Sequence, residues 1–171
     1  MSNMNVIEAI LKRRSIRKFS KEKVSDEIIN KLLEAAMAAP SACNKTPWEF
    51  YVVKSDEMNR KLEDPQYFRT YESPLKIVVC GNKNDFMSND REEFWVQDCS
   101  SAIENILLSA LEYGLGTCWC GVYPVNDRTK ACKSVIGLDD NIIPLGIILV
   151  GYPLEDKEAR TQYEKNRIHI I

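Results

Sequence analysis

The chain has 171 residues, of which 23 are Lys or Arg and 25 are Asp or Glu, so its formal net charge is −2. This length predicts one domain over residues 1–171, and 44% apolar with 28% charged residues argues against a disordered or fibrous chain. The near-neutral charge argues against coating nucleic acid, and a single histidine, His169, leaves little room for Ser-His-Asp hydrolysis or multi-histidine zinc chemistry.

The N-terminus and the cysteines indicate where the protein works. The first residues lack the uninterrupted apolar core of a secretory signal peptide, and no apolar run approaches the ~20 residues of a membrane span. We therefore expect a cytoplasmic protein without a membrane partner. Its six cysteines include no CxxC pair and predict free, buried thiols. Cys118 and Cys120 would share one strand face, which suits a metal or redox role, but period-2 burial explains them equally well and we assign no metal site.

The first half of the chain predicts two helices, a strand and a short third helix. Residues 5–13 form a helix capped by Asn5, with Glu8 completing a capping-box pattern. Residues 25–39 form a second helix, capped by Ser25 and ended by Pro40. The aromatic and β-branched run at 48–53 predicts a strand, and 55–62 a short helix.

The second half predicts three more strands and two more helices. Residues 76–80 read as a strand buried on both faces, and 82–93 as a loop. A long helix follows at 94–113, with Gly114 in the position of a C-terminal glycine cap. Strands at 117–122 and 145–152 flank a helix that Asn126 caps and that runs to residue 136. This alternation predicts an α/β or α+β sandwich around one sheet.

Basic residues are concentrated near the end of the first helix. Three interpretations compete: cations that offset a helix dipole, a patch for nucleic acid or anionic membrane, and a compact phosphate site. Arg13, Arg14 and Arg17 flank the Ser15 hydroxyl, and arginine forks match phosphate oxygens, which suits one small dianion better than a long polyanion. The cluster comprises Lys12, Arg13, Arg14, Arg17, Lys18, Lys21 and Lys23.

Two further segments have the composition of binding sites. Residues 40–48 place small hydroxyl and amide side chains between two prolines that stiffen the turn, although a plain helix-to-strand connection would look the same. Residues 114–121 offer glycine backbone that can approach a flat ligand closely. They are not a dinucleotide-binding fingerprint, because the glycines follow a helix and Trp119 replaces the third glycine.

Together these segments, over residues 7–169, resemble the nitroreductase family of FMN-dependent oxidoreductases. Residues 13–19 are similar to the family's R-R-S-x-R-x-F segment. The resemblance implies that Arg13, Arg14 and Ser15 contact the FMN phosphate, and that Arg17 approaches the pyrimidine side of the flavin.

Three other segments extend the resemblance. Residues 39–48 are similar to A-P-S-x-x-N-x-Q-P-W, with Thr46 in place of glutamine, a segment that reaches FMN from the neighbouring subunit. Residues 114–121 resemble G-x-G-x-x-W-x-G, whose backbone lines the flavin. In the tail, a basic residue would close over the phosphate, while Gln162 stands where a second one is common. The cofactor-binding residues implied by these segments are Pro40, Ser41, Ala42, Asn44, Trp119, Cys120, Gly121 and Arg160.

The resemblance implies an α+β fold: a three-layer sandwich whose central, mostly antiparallel sheet is flanked by helices. It also implies a homodimer with FMN at the subunit interface. NADH or NADPH would pass a hydride through flavin N5 to a nitroaromatic, quinone or similar small acceptor in a ping-pong cycle, with no catalytic side chain. The alternatives are other redox chemistry on the same fold, such as dehalogenation or ring oxidation, and a non-catalytic basic binding module.

Overall fold

The computed structural model describes residues 4–159 and 162–171. Within them the chain forms five α-helices and four strands, joined by short 3-10 turns. In chain order these are α1 (Val6–Lys12), α2 (Asp26–Met37), β1 (Trp48–Val53), α3 (Asp56–Lys61), β2 (Leu75–Asn82), α4 (Phe94–Ser109), β3 (Gly116–Gly121), α5 (Asn126–Ile136) and β4 (Ile142–Gly151).

The helix starts follow the predicted side-chain caps. The Asn5 carboxamide accepts from the Glu8 backbone N–H at 3.0 Å, and the Ser25 hydroxyl accepts from the Ile28 N–H at 3.3 Å. Each bond satisfies one of the N–H groups that a helix leaves without an internal partner. After α4 the chain tightens into a 3-10 turn and ends at Gly114, whose left-handed φ of 67° confirms the predicted glycine cap.

The four strands form one antiparallel sheet in the order β1-β2-β4-β3. The central β2–β4 ladder runs from the Leu75–Val150 pair to the Asn82–Ile142 pair. One core cluster joins a face of this sheet to α2 and α4, and a second joins the other face to α5 and the end of α3. The predicted α+β sandwich, with helices on both faces of an antiparallel sheet, is therefore confirmed.

Three sequence-based boundaries were wrong. Asn126 does not cap α5: the first helical bond runs from Thr129 N–H to the Val125 carbonyl at 2.9 Å, so Asn126 lies inside the helix. The predicted loop at 82–93 begins with the last ladder residue of β2 and contains two 3-10 turns. β4 begins at Ile142 rather than 145, because a register shift opposite Val79 and Cys80 accommodates Pro144 in the ladder.

Arg160 lies outside the described residues. No helix in the described part of the chain is both long and apolar enough to span a bilayer.

Candidate functional site

The N-terminal basic segment lies along the free edge of β3. The Ile16 N–H donates to the Thr117 carbonyl at 2.9 Å, and Ser15 and Thr117 form a parallel bridge. Gly116 permits this approach, since a Cβ there would lie 2.8 Å from Ile16 Cγ1. Gly116 belongs to the segment that was predicted to line the flavin. Its lack of a side chain is explained by this packing between two protein segments.

A cleft of about 750 Å³ brings together four of the predicted site residues from both ends of this contact: Arg13, Ser15, Trp119 and Gly121. We call it the Trp119 cleft. The indole of Trp119 is 38% exposed and covers Gly146, where a Cβ would lie 2.4 Å from Trp119 Nε1. The cleft therefore has a cationic and hydroxyl end and a flat end formed by an aromatic ring and open glycine backbone.

Two carboxylates also reach this region. Glu104, on α4, lies in the Trp119 cleft and pairs with Arg13 at 3.3 Å between Nε and Oε1. Glu93 lines the same cleft and accepts a hydrogen bond from the Tyr123 hydroxyl. Arg13 is thus oriented by Glu104 before any anion arrives, and both side chains are partly exposed, so the pair is weak enough to rearrange.

Arg17, Cys118 and Cys120 form a second part of the site, on the side of β3 away from Trp119. A hydrogen bond with Cys120, supported by the Arg17 charge, lowers the pKa of the Cys118 thiol below its ordinary value despite its burial. The same hydrogen bond and burial raise the pKa of Cys120. The Arg17 guanidinium also lies 5.6 Å from the ring centroid of Tyr71, close enough for a cation–π contact.

A short acidic and basic stretch after β4 holds the N-terminal segment, and sequence reasoning missed it. Lys157 Nζ donates to the Ser15 carbonyl at 2.6 Å and pairs with Glu155 at 3.1 Å. Glu155 in turn accepts from the Arg17 N–H at 2.6 Å, and this bond lowers the pKa of its carboxyl group. Arg14 donates to the Glu158 carbonyl. The only sequence signal was the high charge of the tail.

The Pro40 to Asn44 segment lies apart from these residues. A separate cavity borders Arg17, and neither this cavity nor the Trp119 cleft is lined by Pro40, Ser41, Ala42 or Asn44. The segment is nevertheless well held. The Ala42 N–H donates to Asp98 Oδ1 at 2.9 Å, and the Ser41 hydroxyl accepts from the Thr46 N–H. Asp98, buried on α4, is a positioning residue that the sequence did not single out.

The Trp119 cleft fits a planar ring with an anionic tail. Its volume lies within the range of about 300–1,000 Å³ that is typical of cofactor sites. Arg13 and Ser15 can donate to phosphate oxygens, and a Cβ at Gly121 would meet no atom within 4 Å, so the backbone there is open to a ligand. Among the described residues, no group of three or more His, Cys, Asp or Glu is placed to hold a metal ion.

Comparisons with known proteins agree on one family. A model described as the nitroreductase family matches residues 10–67 and 59–152. A relative from Methanothermobacter thermautotrophicus, named "Putative NADH dehydrogenase/NAD(P)H nitroreductase", is 41% identical over 99% of this chain and 88% of its own length. A solved structure with the same name from Parabacteroides distasonis has a TM-score of 0.88 at 36% identity, covering 96% of both chains. A structure from Desulfovibrio desulfuricans in complex with FMN has a TM-score of 0.81 at 26% identity, covering 98% of this chain and 96% of that one.

Proposed function

The chain belongs to the nitroreductase family, and from that membership we propose that it is an FMN-dependent NAD(P)H oxidoreductase. The observation that carries the proposal is the Trp119 cleft, where two separate segments bring Arg13 and Ser15 together with Trp119 and Gly121. An FMN bound there supplies hydride chemistry at its N5, with NADH or NADPH and then a nitroaromatic, quinone or similar small acceptor using the site in turn.

The chain's own residues hold the cofactor and set its electrostatic surroundings. Arg13 and Ser15 form the phosphate end of the cleft, and Arg13 must exchange its contact with Glu104 for the phosphate. We also assign Arg14 to the phosphate, although its guanidinium lies outside the cleft and donates to the Glu158 carbonyl. Arg17 lies outside the Trp119 cleft, on the other side of β3. By the family resemblance it would supply the positive charge beside the flavin pyrimidine, where preorganised cations stabilise the extra electron density of a reduced ring. The thiols beside Arg17 remain free, which suits the reducing cytoplasm in which we expect the enzyme to work.

We also propose that the working unit is a homodimer. α1 buries none of its residues, and its four large apolar side chains are 45–71% exposed. Exposed apolar side chains on this scale mark interaction surfaces, and a second copy would cover them. In the dimer, the Pro40 to Asn44 segment of one subunit completes the FMN site of the other. The exposed apolar residues at the two ends of the chain are Val6, Ile7, Ile10, Leu11, Ile168, Ile170 and Ile171.

A flavin titration of the Arg13→Ala variant tests the phosphate assignment. Hydrogen bonds to charged groups contribute about 1.5–3 kcal/mol, so we expect FMN affinity to fall at least about tenfold. Flavin fluorescence on titration of apoprotein gives the dissociation constant. Arg91→Ala is the matched control, because Arg91 is exposed and lines neither cavity of the site. Equal affinity in wild type and Arg13→Ala would overturn the assignment.

Anaerobic reduction tests the reaction. The purified protein should be yellow, and its flavin absorbance should bleach with NADH or NADPH and return when a nitroaromatic or quinone is added. If neither nucleotide bleaches the flavin, the donor assignment is wrong and other redox chemistry on this fold takes its place. A colourless protein that takes up no added FMN would instead support the non-catalytic binding module.

A further inference from the structure

The connection from α2 to β1 contains three residues in the left-handed region of backbone conformation. Their φ angles are 50° at Cys43, 54° at Asn44 and 46° at Thr46. None of the three is a glycine, and a β-branched residue such as Thr46 is the least suited to this region. We call residues 41–46 the strained segment. Backbone strain of this kind persists only where the surrounding structure holds it, and it concentrates at active sites and ligand contacts.

One hydrogen bond from outside the strained segment holds it in place. The Ala42 N–H donates to Asp98 Oδ1 at 2.9 Å, across 56 positions of the sequence. The other hydrogen bonds that the described residues make with the segment are internal, such as the one from the Thr46 N–H to the Ser41 hydroxyl at 2.9 Å. The Asp98 carboxyl group therefore fixes the segment relative to α4.

Asp98 stands out among the residues that α4 buries. It is only 6% exposed, and the other buried residues of this helix are apolar or cysteine. Burying a carboxyl group among such side chains is unfavourable unless the group is hydrogen-bonded. The Ala42 N–H supplies such a bond, so the place of Asp98 in the core is explained by the segment that it holds.

The strained segment faces outward from its own chain. Residues 43–46 are all exposed, and the segment lines neither the Trp119 cleft nor the cavity that borders Arg17. Packing within the chain therefore does not account for the left-handed conformation. A backbone that is held by a buried group and presents exposed residues suits contact with a molecule outside the chain.

We infer that Asp98 is a positioning residue for the flavin site of the other subunit, because it holds the strained segment in the conformation that contacts FMN there. The segment is ordered when the chain folds, so its ordering does not reduce the affinity for FMN. Without the Asp98 bond the segment relaxes, and FMN binding must order it again. This inference rests on the proposed homodimer and its FMN site.

Flavin titration of Asp98 variants tests the inference. Asp98→Leu removes the acceptor and should lower FMN affinity at least about tenfold. Asp98→Asn retains an acceptor oxygen for the Ala42 N–H and should recover most of that affinity. If FMN affinity is the same in wild type and Asp98→Leu, the inference is overturned.

Asn105→Ala is the matched control for this titration. Asn105 also lies on α4, and its Nδ2 donates to the Ala35 carbonyl on α2 at 2.9 Å. The variant thus loses an equivalent bond from the same helix, but one that does not reach the strained segment. Its FMN affinity should stay close to that of wild type. Equal losses in Asn105→Ala and Asp98→Leu would show a general loss of packing and overturn the inference.

Mixed dimers show whether the effect reaches the other subunit. A dimer of one Arg13→Ala subunit and one Asp98→Leu subunit, isolated through two affinity tags, has an intact phosphate end in one subunit and an intact strained segment in the other. It should bind one FMN with an affinity close to that of wild type, although both parent homodimers bind FMN weakly. If the segment served its own subunit, both sites of the mixed dimer would be damaged. A mixed dimer without a site of wild-type affinity would therefore overturn the inference.

Amide hydrogen exchange tests the positioning without FMN. In apoprotein, the amides of residues 42–46 should exchange at least about tenfold faster in Asp98→Leu than in wild type, because the bond that fixes the segment is gone. Asn105→Ala should match wild type. Equal exchange in wild type and Asp98→Leu would contradict the role of Asp98.

These measurements separate the inference from the proposed function. A wild type that binds no FMN, or that light scattering shows to be a monomer, contradicts the proposed function, while hydrogen exchange still reports on Asp98. A dimeric wild type that binds FMN no more tightly than Asp98→Leu contradicts the inference alone. Far-ultraviolet circular dichroism checks folding, and Asp98→Ala replaces Asp98→Leu if leucine is not tolerated. Loss of folding in both variants would show that Asp98 supports the core, and would overturn the inference.

Discussion

The buried ion pair between Lys76 and Glu63 allows a sharp prediction about stability. Lys76 lies on β2 with a side chain that is 0% exposed, and its only ion-pair partner among the described residues is Glu63, 2.5 Å away and 23% exposed. Burial lowers the pKa of Lys76, whereas Glu63 raises it. The change Glu63→Gln leaves the ammonium buried beside a neutral amide.

The expected loss is large for one substitution. Removing one partner of a buried pair costs about 3–5 kcal/mol, and the partial exposure of Glu63 places it near about 3 kcal/mol. For a chain of this size that lowers Tm by roughly 6–12 °C. The double variant Glu63→Gln/Lys76→Met removes the stranded charge and should recover at least half of the loss.

The pH dependence has a definite sign. Without Glu63 the folded-state pKa of Lys76 falls further below its unfolded value of 10.5. At any pH between the folded-state pKa and the unfolded-state pKa, the unfolded state therefore binds more protons than the folded state. Stability relative to wild type then rises with pH in that window. The penalty of Glu63→Gln should therefore shrink between pH 7 and pH 10.

Urea denaturation followed by tryptophan fluorescence measures these differences, at pH 7 and pH 10 for each variant and wild type. Glu57→Gln is the control, because both side chains of its pair with Lys61 are exposed, and its free energy of unfolding should stay close to that of wild type. A loss below 1 kcal/mol in Glu63→Gln, or additive losses in the double variant, would refute the reasoning.

Three other perturbations have defined outcomes. Gly146→Ala should displace the Trp119 indole, lower the free energy of unfolding by about 1–3 kcal/mol and weaken FMN binding. Thermal melts and flavin titration measure these two effects, and an unchanged Tm together with an unchanged FMN affinity would contradict the contact. Cys43, the exposed thiol, should react with a thiol reagent before the others, and mass mapping that finds a different first site would contradict this. Burial raises the pKa of three thiols, those of Cys80, Cys99 and Cys132. The free energy of unfolding should therefore fall above pH 9 by about 1.4 kcal/mol per pH unit for each of them. A urea midpoint that stays constant from pH 9 to 10.5 would exclude this effect.

Local signals predicted the fold well because they act over a few residues. The aromatic and β-branched run at Trp48–Val53 is a strand with the predicted bounds, and the Asn5 and Ser25 caps lie where the sequence placed them. β4 begins three residues before the predicted residue 145, because a bulge beside Pro144 accommodates a residue that cannot donate to a ladder.

The site was only partly predictable, because its partners are distant in sequence. The basic segment pointed to a phosphate, but nothing in it showed that Lys157, 142 residues from Ser15, would donate to the Ser15 carbonyl. Lys76 looked like one polar residue in an apolar run, and its partner Glu63 is 13 residues away.

The contact between Ile16 and Thr117 also covers part of a strand edge, which we expect to limit aggregation. β3 is the last strand of the sheet beside β4, and an open edge of this kind is a template for pairing with strands of other molecules. The N-terminal segment occupies part of that edge through its own backbone. A truncation that removes residues 1–16 would therefore do more than delete site residues, because it would expose a strand edge that favours β-sheet assembly between chains.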